Sequence, residues 1–224
     1  MANAQTDPIL DLLDAAMGHV VFDGWSAVTF RAAIEDSGVD PAVARALCPR
    51  GAVDLAVAFH KKGDADMRAR IASEDMSALR YSEKVARCVQ IRFEVIPDKE
   101  AVRRGSTLFS LPHHAPEGYK LIWGTADAIW TALGDTSDDM NWYSKRAILS
   151  GVYTSTLLYW LGDDSLDGQA TWDFLDRRID DVMLIEKAKA QVNKNPLLRT
   201  AFAGPRFLAS MIKAPRPADL PGGG

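Results

Sequence analysis

Apolar side chains recur along this chain three and four residues apart, which is the spacing of an amphipathic helix. The first such segment begins after Asp7-Pro8. Its apolar positions are Ile9, Leu12, Leu13, Ala16, Met17, Val20 and Val21. No segment alternates apolar and polar residues convincingly, as a half-buried strand would. The pattern therefore predicts an all-α protein.

Three short helices follow one another near the N-terminus. Residues 28–37 end at Gly38, residues 41–47 begin after Asp40 as an N-cap, and a longer segment runs on through His60. Short helices joined by tight turns in this way have the layout of a helix-turn-helix. We therefore predict a helix-turn-helix-like N-terminal region over residues 1–60.

The same helical period continues through residues 61–191, which we expect to form one larger helical domain. Helices are indicated around residues 85–96, 121–133, 148–160 and 172–183. Proline and glycine residues interrupt the pattern between them, as they do at helix ends.

A final amphipathic helix is predicted over residues 196–213, because Asn195 suits an N-cap and Pro196 suits the first helical position. We expect its apolar face to bind a membrane surface through Leu197, Leu198, Phe202, Phe207, Leu208, Met211 and Ile212. The alternative is that this face packs on the helical domain or on a second subunit. Residues 214–224 are predicted to be a disordered tail.

The composition favours one domain with an appendage, because 224 residues that are 47% hydrophobic can bury one good-sized core. A net charge of −4 and a pI near 5.6 argue against a broad nucleic-acid-binding surface. Cys48 and Cys88 have no CxxC partner, so a reducing compartment is the default. There is no secretory signal and no apolar run near the roughly 20 residues that span a bilayer. We therefore expect a cytoplasmic protein.

Motifs that would indicate catalysis are absent from the sequence, which has no GxSxG, GxxxxGK[ST], GxGxxG or HExxH pattern. The histidines are scattered, and a lone histidine on a helix is usually not a ligand. Acidic turns from Asp135 and Asp163 resemble calcium loops, but Arg146 and Phe174 stand where the bidentate Glu is needed. We predict no metal, no cofactor and no catalytic residue, and hence no enzyme.

The run of residues 134–147 joins an acidic turn to two aromatic rings and a basic pair at the start of a helix. Tryptophan, tyrosine and arginine supply most of the binding energy at protein interfaces, so Trp142, Tyr143 and Arg146 are candidates for an exposed recognition surface. The alternative is a capped helix whose rings face the core. The sequence leaves both interpretations open.

Several stretches, in this order, resemble the Coq-nine family, which are lipid-binding accessory proteins of ubiquinone biosynthesis. They are Gly24-Trp25, residues 48–55, Trp130, Gly134-Asp135, Ser137, residues 139–147, Tyr153, Thr156, Asp164-Ser165 and residues 171–178. The chain departs from the family at Val102-Arg103, where a Trp-Pro pair is common.

The resemblance implies the fold of TetR-type repressors, with an apolar cavity for an isoprenoid quinone precursor or a phospholipid in the larger helical domain. It also implies binding to the di-iron demethoxyubiquinone hydroxylase through the residues that match Trp142, Tyr143 and Arg146. Peripheral association with the inner membrane and a homodimer are expected with it. As candidates for the cavity lining we take apolar residues of the longer helices, which are Phe93, Trp123, Trp130, Leu149, Val152, Tyr153 and Trp160.

A TetR-like transcriptional regulator that binds DNA and a hydrophobic effector is the alternative. Its recognition helix would be residues 41–48, where Arg45 is the only side chain suited to bases or phosphates, with Arg50 just beyond. Specific DNA-binding modules usually combine several such groups. The first hypothesis is therefore preferred, with no nucleic acid among the partners.

Overall fold

A computed structural model describes residues 7–194 of the chain, with side chains described up to Leu184. The described residues are helical throughout and contain no strand, which confirms the all-α prediction. The helices are α1 Pro8–Asp23, α2 Ala27–Ser37, α3 Pro41–Leu47, α4 Ala52–Ser73, α5 Tyr81–Glu94, α6 Lys99–Ser110, α7 Ala115–Ala132, α8 Met140–Leu161 and α9 Gln169–Lys194, with a 3-10 turn at Leu166–Gly168.

The N-terminal helices begin where their caps predict. The Asp7 carboxylate accepts a hydrogen bond from the Ile9 amide at 3.1 Å. Asp40 accepts from the amide of Ala42 at 2.8 Å, and Gly38 takes a positive φ of 69° as α2 ends. These contacts satisfy amide groups that have no partner within the helix. The predicted short helices over residues 28–37 and 41–47 are thereby confirmed as α2 and α3.

Two features of the helical pattern differ from the prediction. Helix α4 continues to Ser73 instead of ending near His60, because most of the following residues, among them Lys, Ala, Met and Arg, are good helix formers. Helix α6, Lys99–Ser110, was not predicted. Its N-cap is Asp98, which accepts a hydrogen bond from the Glu100 amide at 2.7 Å, and this capping residue was the available sequence signal.

The described residues divide into two compact units. The first unit comprises the residues up to Ser73 together with Ile91–Gly124, and the second comprises Glu74–Gln90 and the residues from Thr125 onward. The predicted ranges 1–60 and 61–191 do not coincide with these units, because α5 and α7 each contribute residues to both. The boundaries follow tertiary contacts, which a periodic sequence pattern does not specify.

The core of the first unit forms around α1, whose Leu12, Leu13, Ala16 and Val20 are buried. Residues of α2 and α4 complete this cluster, and the Trp25 indole donates a hydrogen bond to the Ala101 carbonyl at 3.0 Å. This bond satisfies the one polar atom of a large buried ring. The first unit therefore has an apolar interior of its own.

Within residues 7–194, no helix is both long enough and apolar enough to cross a bilayer. The predicted amphipathic helix over 196–213, with its candidate membrane-binding side chains, lies outside the described residues. The predicted tail over 214–224 lies outside them as well.

Candidate functional site

The start of α8 carries the run of residues 134–147 and lies in the second unit. Gly134, with a φ of 75°, follows the end of α7, and Asp139 caps α8 by accepting a hydrogen bond from the Asn141 amide at 2.8 Å. The acidic turn is thus an N-capping turn, and its capping carboxylate lies favourably at the positive end of the helix.

Two of the three candidate recognition side chains at this helix start are buried. Trp142 is 9% exposed and Arg146 is 3% exposed, so both side chains match the alternative in which this part of the helix faces the core, and their contact with a partner stays a prediction. The Arg146 guanidinium lies 4.0 Å from the centroid of the Trp142 ring and donates a hydrogen bond to the Trp142 carbonyl at 3.1 Å. Stacking on an aromatic face satisfies a guanidinium that burial removes from water.

Carboxylates from outside α8 neutralise the buried arginine. Its Nε donates to Asp127 Oδ1 at 2.5 Å, and its Nη1 donates to Asp135 Oδ2 at 3.1 Å. Lys145 Nζ lies 2.6 Å from the other oxygen of Asp135, whose side chain is only 2% exposed. Two cations therefore share two carboxylates. We call this set, Asp127, Asp135, Lys145 and Arg146, the ion cluster.

The contacts within the ion cluster change the pKa of its buried carboxylate, Asp135. Burial by itself raises the pKa of Asp135, but the hydrogen bonds that its carboxylate accepts from Lys145, Ser137 and Arg146 outweigh burial and lower that pKa to about 2. The charged form is therefore the stable one at neutral pH.

Tyr143 is the member of the candidate set that remains partly exposed. Its ring meets Trp142 edge-on, with the two centroids 4.8 Å apart. Met140, one turn earlier, is 36% exposed. Tyr143, which packs on the buried Trp142, and Met140 therefore present aromatic and apolar surface to a partner at the start of α8.

An apolar cavity of about 60 Å³ lies within the second unit, next to α8. Three candidate lipid-binding residues, Trp130, Leu149 and Val152, line it. The rest of its lining comes from α5, α8 and α9, and comprises Tyr81, Ser82, Val85, Ile148, Ile179, Val182 and Met183. These further lining residues were not predicted, and the periodic apolar positions of α5 and α9 were the available sequence signal for them.

The remaining lipid candidates do not line this cavity. Tyr153 is 2% exposed and Trp160 is half-buried, both on α8. Phe93 and Trp123 belong to the first unit. Sequence alone did not separate these residues from the cavity lining, because an apolar residue on a helix indicates burial but not its neighbours.

The helix-turn-helix offers little to a phosphate backbone. Arg50 is paired with Asp54 at 2.6 Å and with Glu117 at 2.6 Å. Arg45 is exposed and makes a 3.4 Å contact with the Pro41 carbonyl. One of the two candidate DNA-contacting groups is therefore already neutralised by carboxylates of the chain.

A buried polar cluster of His60, Asp64 and Arg92 in the first unit was not predicted, although the spacing of four residues between His60 and Asp64 is visible in the sequence. His60 Nε2 lies 3.6 Å from Asp64, which also accepts a hydrogen bond from Arg92 Nε at 2.8 Å. Burial, helped by the positive charge of Arg92, outweighs the opposing effects of Asp64 and of a hydrogen bond to the Leu121 backbone, and the pKa of His60 is lowered to about 4. Among the described residues, no His, Cys, Asp or Glu cluster of three or more is arranged to hold a metal ion.

Comparison with a solved structure defines the fold. A TetR transcriptional regulator from Nitrosomonas europaea matches with a TM-score of 0.64 and 19% identity, over 78% of this chain and 97% of the regulator. The chain thus has an all-α, TetR-like fold, as predicted. A family model described as COQ9 matches residues 115–186, which extend from α7 into α9.

Relatives named ubiquinone biosynthesis protein COQ9, mitochondrial, match over a longer part of the chain. The Rattus norvegicus protein is 30% identical over 81% of this chain and 60% of its own length. The Homo sapiens protein is 28% identical over 81% of this chain and 59% of its own length. The chain therefore contains a COQ9 (Coq-nine) family domain at residues 115–186 and is similar to COQ9 proteins over most of its length.

These relatives are longer than the region they share with the chain, which spans about 60% of the length of the rat protein. Their names call them mitochondrial, whereas the sequence of this chain predicts a cytoplasmic protein. The compartment of this chain stays a prediction, as does the homodimer.

Proposed function

We propose that this chain is a non-catalytic accessory protein of ubiquinone biosynthesis. It binds an isoprenoid quinone precursor and presents it to the di-iron demethoxyubiquinone hydroxylase at a membrane surface. The observation that carries the proposal is the COQ9 family domain at residues 115–186, together with the similarity to relatives that are named for ubiquinone biosynthesis. Extraction and presentation of a lipid require an apolar cavity and a docking face, and no acid, base or metal.

Support for lipid binding comes from the apolar cavity beside α8. Its volume of about 60 Å³ is well below the roughly 300 Å³ at which small-molecule sites begin. An isoprenoid chain therefore enters only if the helices that line this cavity move apart.

Support for docking comes from Tyr143 and Met140 at the start of α8. An amphipathic ring above a rigid base supplies contact area at a small entropic cost, which is typical of an interface anchor. In this proposal the hydroxylase contacts Tyr143 directly. The terminal residues 196–213 supply the membrane contact, on the strength of their apolar pattern alone.

Mass spectrometry of an organic extract of the purified full-length protein tests lipid binding. We expect a bound polyisoprenoid or phospholipid, and a lower amount of it in Val152→Phe, because the added ring fills part of the cavity. Val28→Phe is the matched control, since Val28 is 49% exposed on α2 and should leave the bound amount unchanged. An extract without lipid, or equal occupancy in Val152→Phe, contradicts this part of the proposal.

A binding titration with the purified hydroxylase tests docking. We expect Tyr143→Ala to weaken the complex by roughly thirtyfold, the effect of truncating an anchor at ~2 kcal/mol. Tyr119→Ala is the matched control, because Tyr119 is 58% exposed on α7 and carries no docking role. Wild-type protein that does not bind the hydroxylase, or a Tyr143→Ala variant that binds it normally, excludes this docking site.

A further inference from the structure

We propose that Asp127 and Asp135 are positioning residues of the docking site. They hold the Arg146 guanidinium against Trp142, and the immobilised Trp142 ring fixes the orientation in which Tyr143 meets the partner. This inference rests on the proposed function, because it concerns the same docking site. It assigns a role to two carboxylates that lie outside the docking residues themselves.

The first step is the fixed position of Arg146. Its guanidinium, 3% exposed, donates to three acceptors, which are Asp127 at the end of α7, Asp135 in the turn, and the Trp142 carbonyl within α8. Acceptors on three separate segments leave a long side chain a single rotamer. The position of the guanidinium is therefore set from outside α8.

The second step is the contact by which the fixed guanidinium of Arg146 holds the rings of Trp142 and Tyr143. The central carbon of the Arg146 guanidinium lies over the Trp142 ring, 4.0 Å from its centroid. The Tyr143 ring meets the Trp142 ring edge-on, with the two centroids 4.8 Å apart. Trp142 is 9% exposed, so it presents little surface of its own to a partner. Its role in docking is then to support Tyr143, and Arg146 acts through it.

The third step is the turn that precedes α8. The Asp135 carboxylate accepts a hydrogen bond from the Ser137 hydroxyl at 2.8 Å as well as from Lys145 at 2.6 Å. Lys145 Nζ also lies 2.7 Å from the Ser137 oxygen. The same buried carboxylate that holds Arg146 thus also fixes the turn beside Met140.

A role confined to folding predicts a different outcome from a positioning role. If the ion cluster only stabilises the fold, its loss lowers stability and affects binding independently of Tyr143. If it positions Tyr143, its effect on affinity requires the tyrosine ring. A double-mutant cycle measures that dependence directly.

The test uses Asp127→Asn, because the Asp127 side chain is 33% exposed and its neutralisation is the mildest change to the ion cluster. We expect roughly tenfold weaker binding to the hydroxylase in a protein with an unchanged far-ultraviolet circular dichroism spectrum. In a Tyr143→Ala background, the same substitution should weaken binding less than about twofold further. Asp127→Glu should restore most of the affinity. Asp180→Asn, which removes one exposed carboxylate of α9, is the matched control and should bind normally.

Normal binding by Asp127→Asn, or an equal loss in both backgrounds, overturns the inference. If Asp135→Asn folds, it should behave as Asp127→Asn does, and a normal affinity for that folded variant contradicts the inference as well. These outcomes differ from failure of the proposed function, in which the wild-type protein does not bind or Tyr143→Ala has no effect. Tight wild-type binding that depends on Tyr143 but not on Asp127 removes only the positioning role.

Discussion

A Cβ atom added at Gly63 would lie 2.7 Å from the central carbon of the Arg92 guanidinium. Arg92 crosses α4 at this point to reach Asp64 at 2.8 Å and the His60 carbonyl at 3.2 Å, and it is 3% exposed. A glycine in the interior of a helix is unfavourable by itself. Here its missing side chain provides the space for a buried ion pair.

Gly63→Ala is therefore expected to destabilise the protein, although alanine favours helices. The propensity gain is about 1 kcal/mol, but displacing Arg92 breaks a buried pair at a cost of ~3 to 5 kcal/mol, so a net loss of roughly 2 to 4 kcal/mol follows. Urea unfolding measures this loss in the free energy of unfolding. Gly18→Ala on α1 is the control, because no atom lies within 4 Å of its added Cβ, and it should be neutral or stabilising. Equal stabilities of the two variants would show that Arg92 rearranges without cost.

The lowered pKa of His60 makes stability depend on pH. The unfolded chain takes up a proton near pH 6.5, whereas folded His60 resists protonation until about pH 4, so stability falls as the pH drops through this window. The loss attributable to this group is about 2 kcal/mol at pH 5. Urea unfolding at pH 7.5 and pH 5 should show a smaller difference for His60→Gln than for wild type. His113→Gln, an exposed histidine variant, should keep the wild-type difference. If the wild type and His60→Gln lose the same stability, His60 is not the titrating group.

The helix-turn-helix is expected to be a feature of the fold that does not bind DNA. Arg50 is committed to Asp54 and Glu117, and Arg45 alone cannot supply the several phosphate and base contacts of a specific complex. The double variant Arg45→Ala, Arg50→Ala should bind the hydroxylase as wild type does. Footprinting on duplex DNA checks the alternative. A nanomolar footprint at physiological salt that disappears in the double variant would establish the regulator function instead.

Deletion of the residues after Asn195 should abolish sedimentation with anionic liposomes and leave thermal unfolding nearly unchanged. Apolar burial dominates the attraction, because each of the large apolar side chains in residues 196–213 contributes ~1.5 to 3 kcal/mol if fully buried, against about 1 kcal/mol for each basic group. Phe202→Ser with Leu208→Ser should therefore impair binding more than neutralising Arg199, Arg206 and Lys213. A truncated protein that unfolds, or that still sediments with liposomes, contradicts the membrane-binding role of these residues.

The sequence by itself determined most of the helical segments, because helix formation depends on neighbours in the chain. Asp40 caps α3 through amides two and three residues away, and the apolar positions of α1 are buried as their spacing predicts. Helix α6 was missed even though Asp98 caps it in the same local way. Its apolar residues Leu108 and Phe109 pack against the core of the first unit, and this contact depends on the tertiary structure.

Only the tertiary structure decided which side of α8 is buried at its start and which carboxylates neutralise the buried Arg146. Trp142 and Arg146 suit an exposed anchor and a buried stack equally well by residue type, and the choice depends on Asp127 and Asp135. Asp127 is 19 residues from Arg146 in the chain, and nothing in local spacing relates the two. Pairing over such distances depends on how helices pack, because a helical pattern specifies a face and not the charge that it meets. The same reason separates Trp130, Leu149 and Val152, which line the cavity, from Tyr153, which does not.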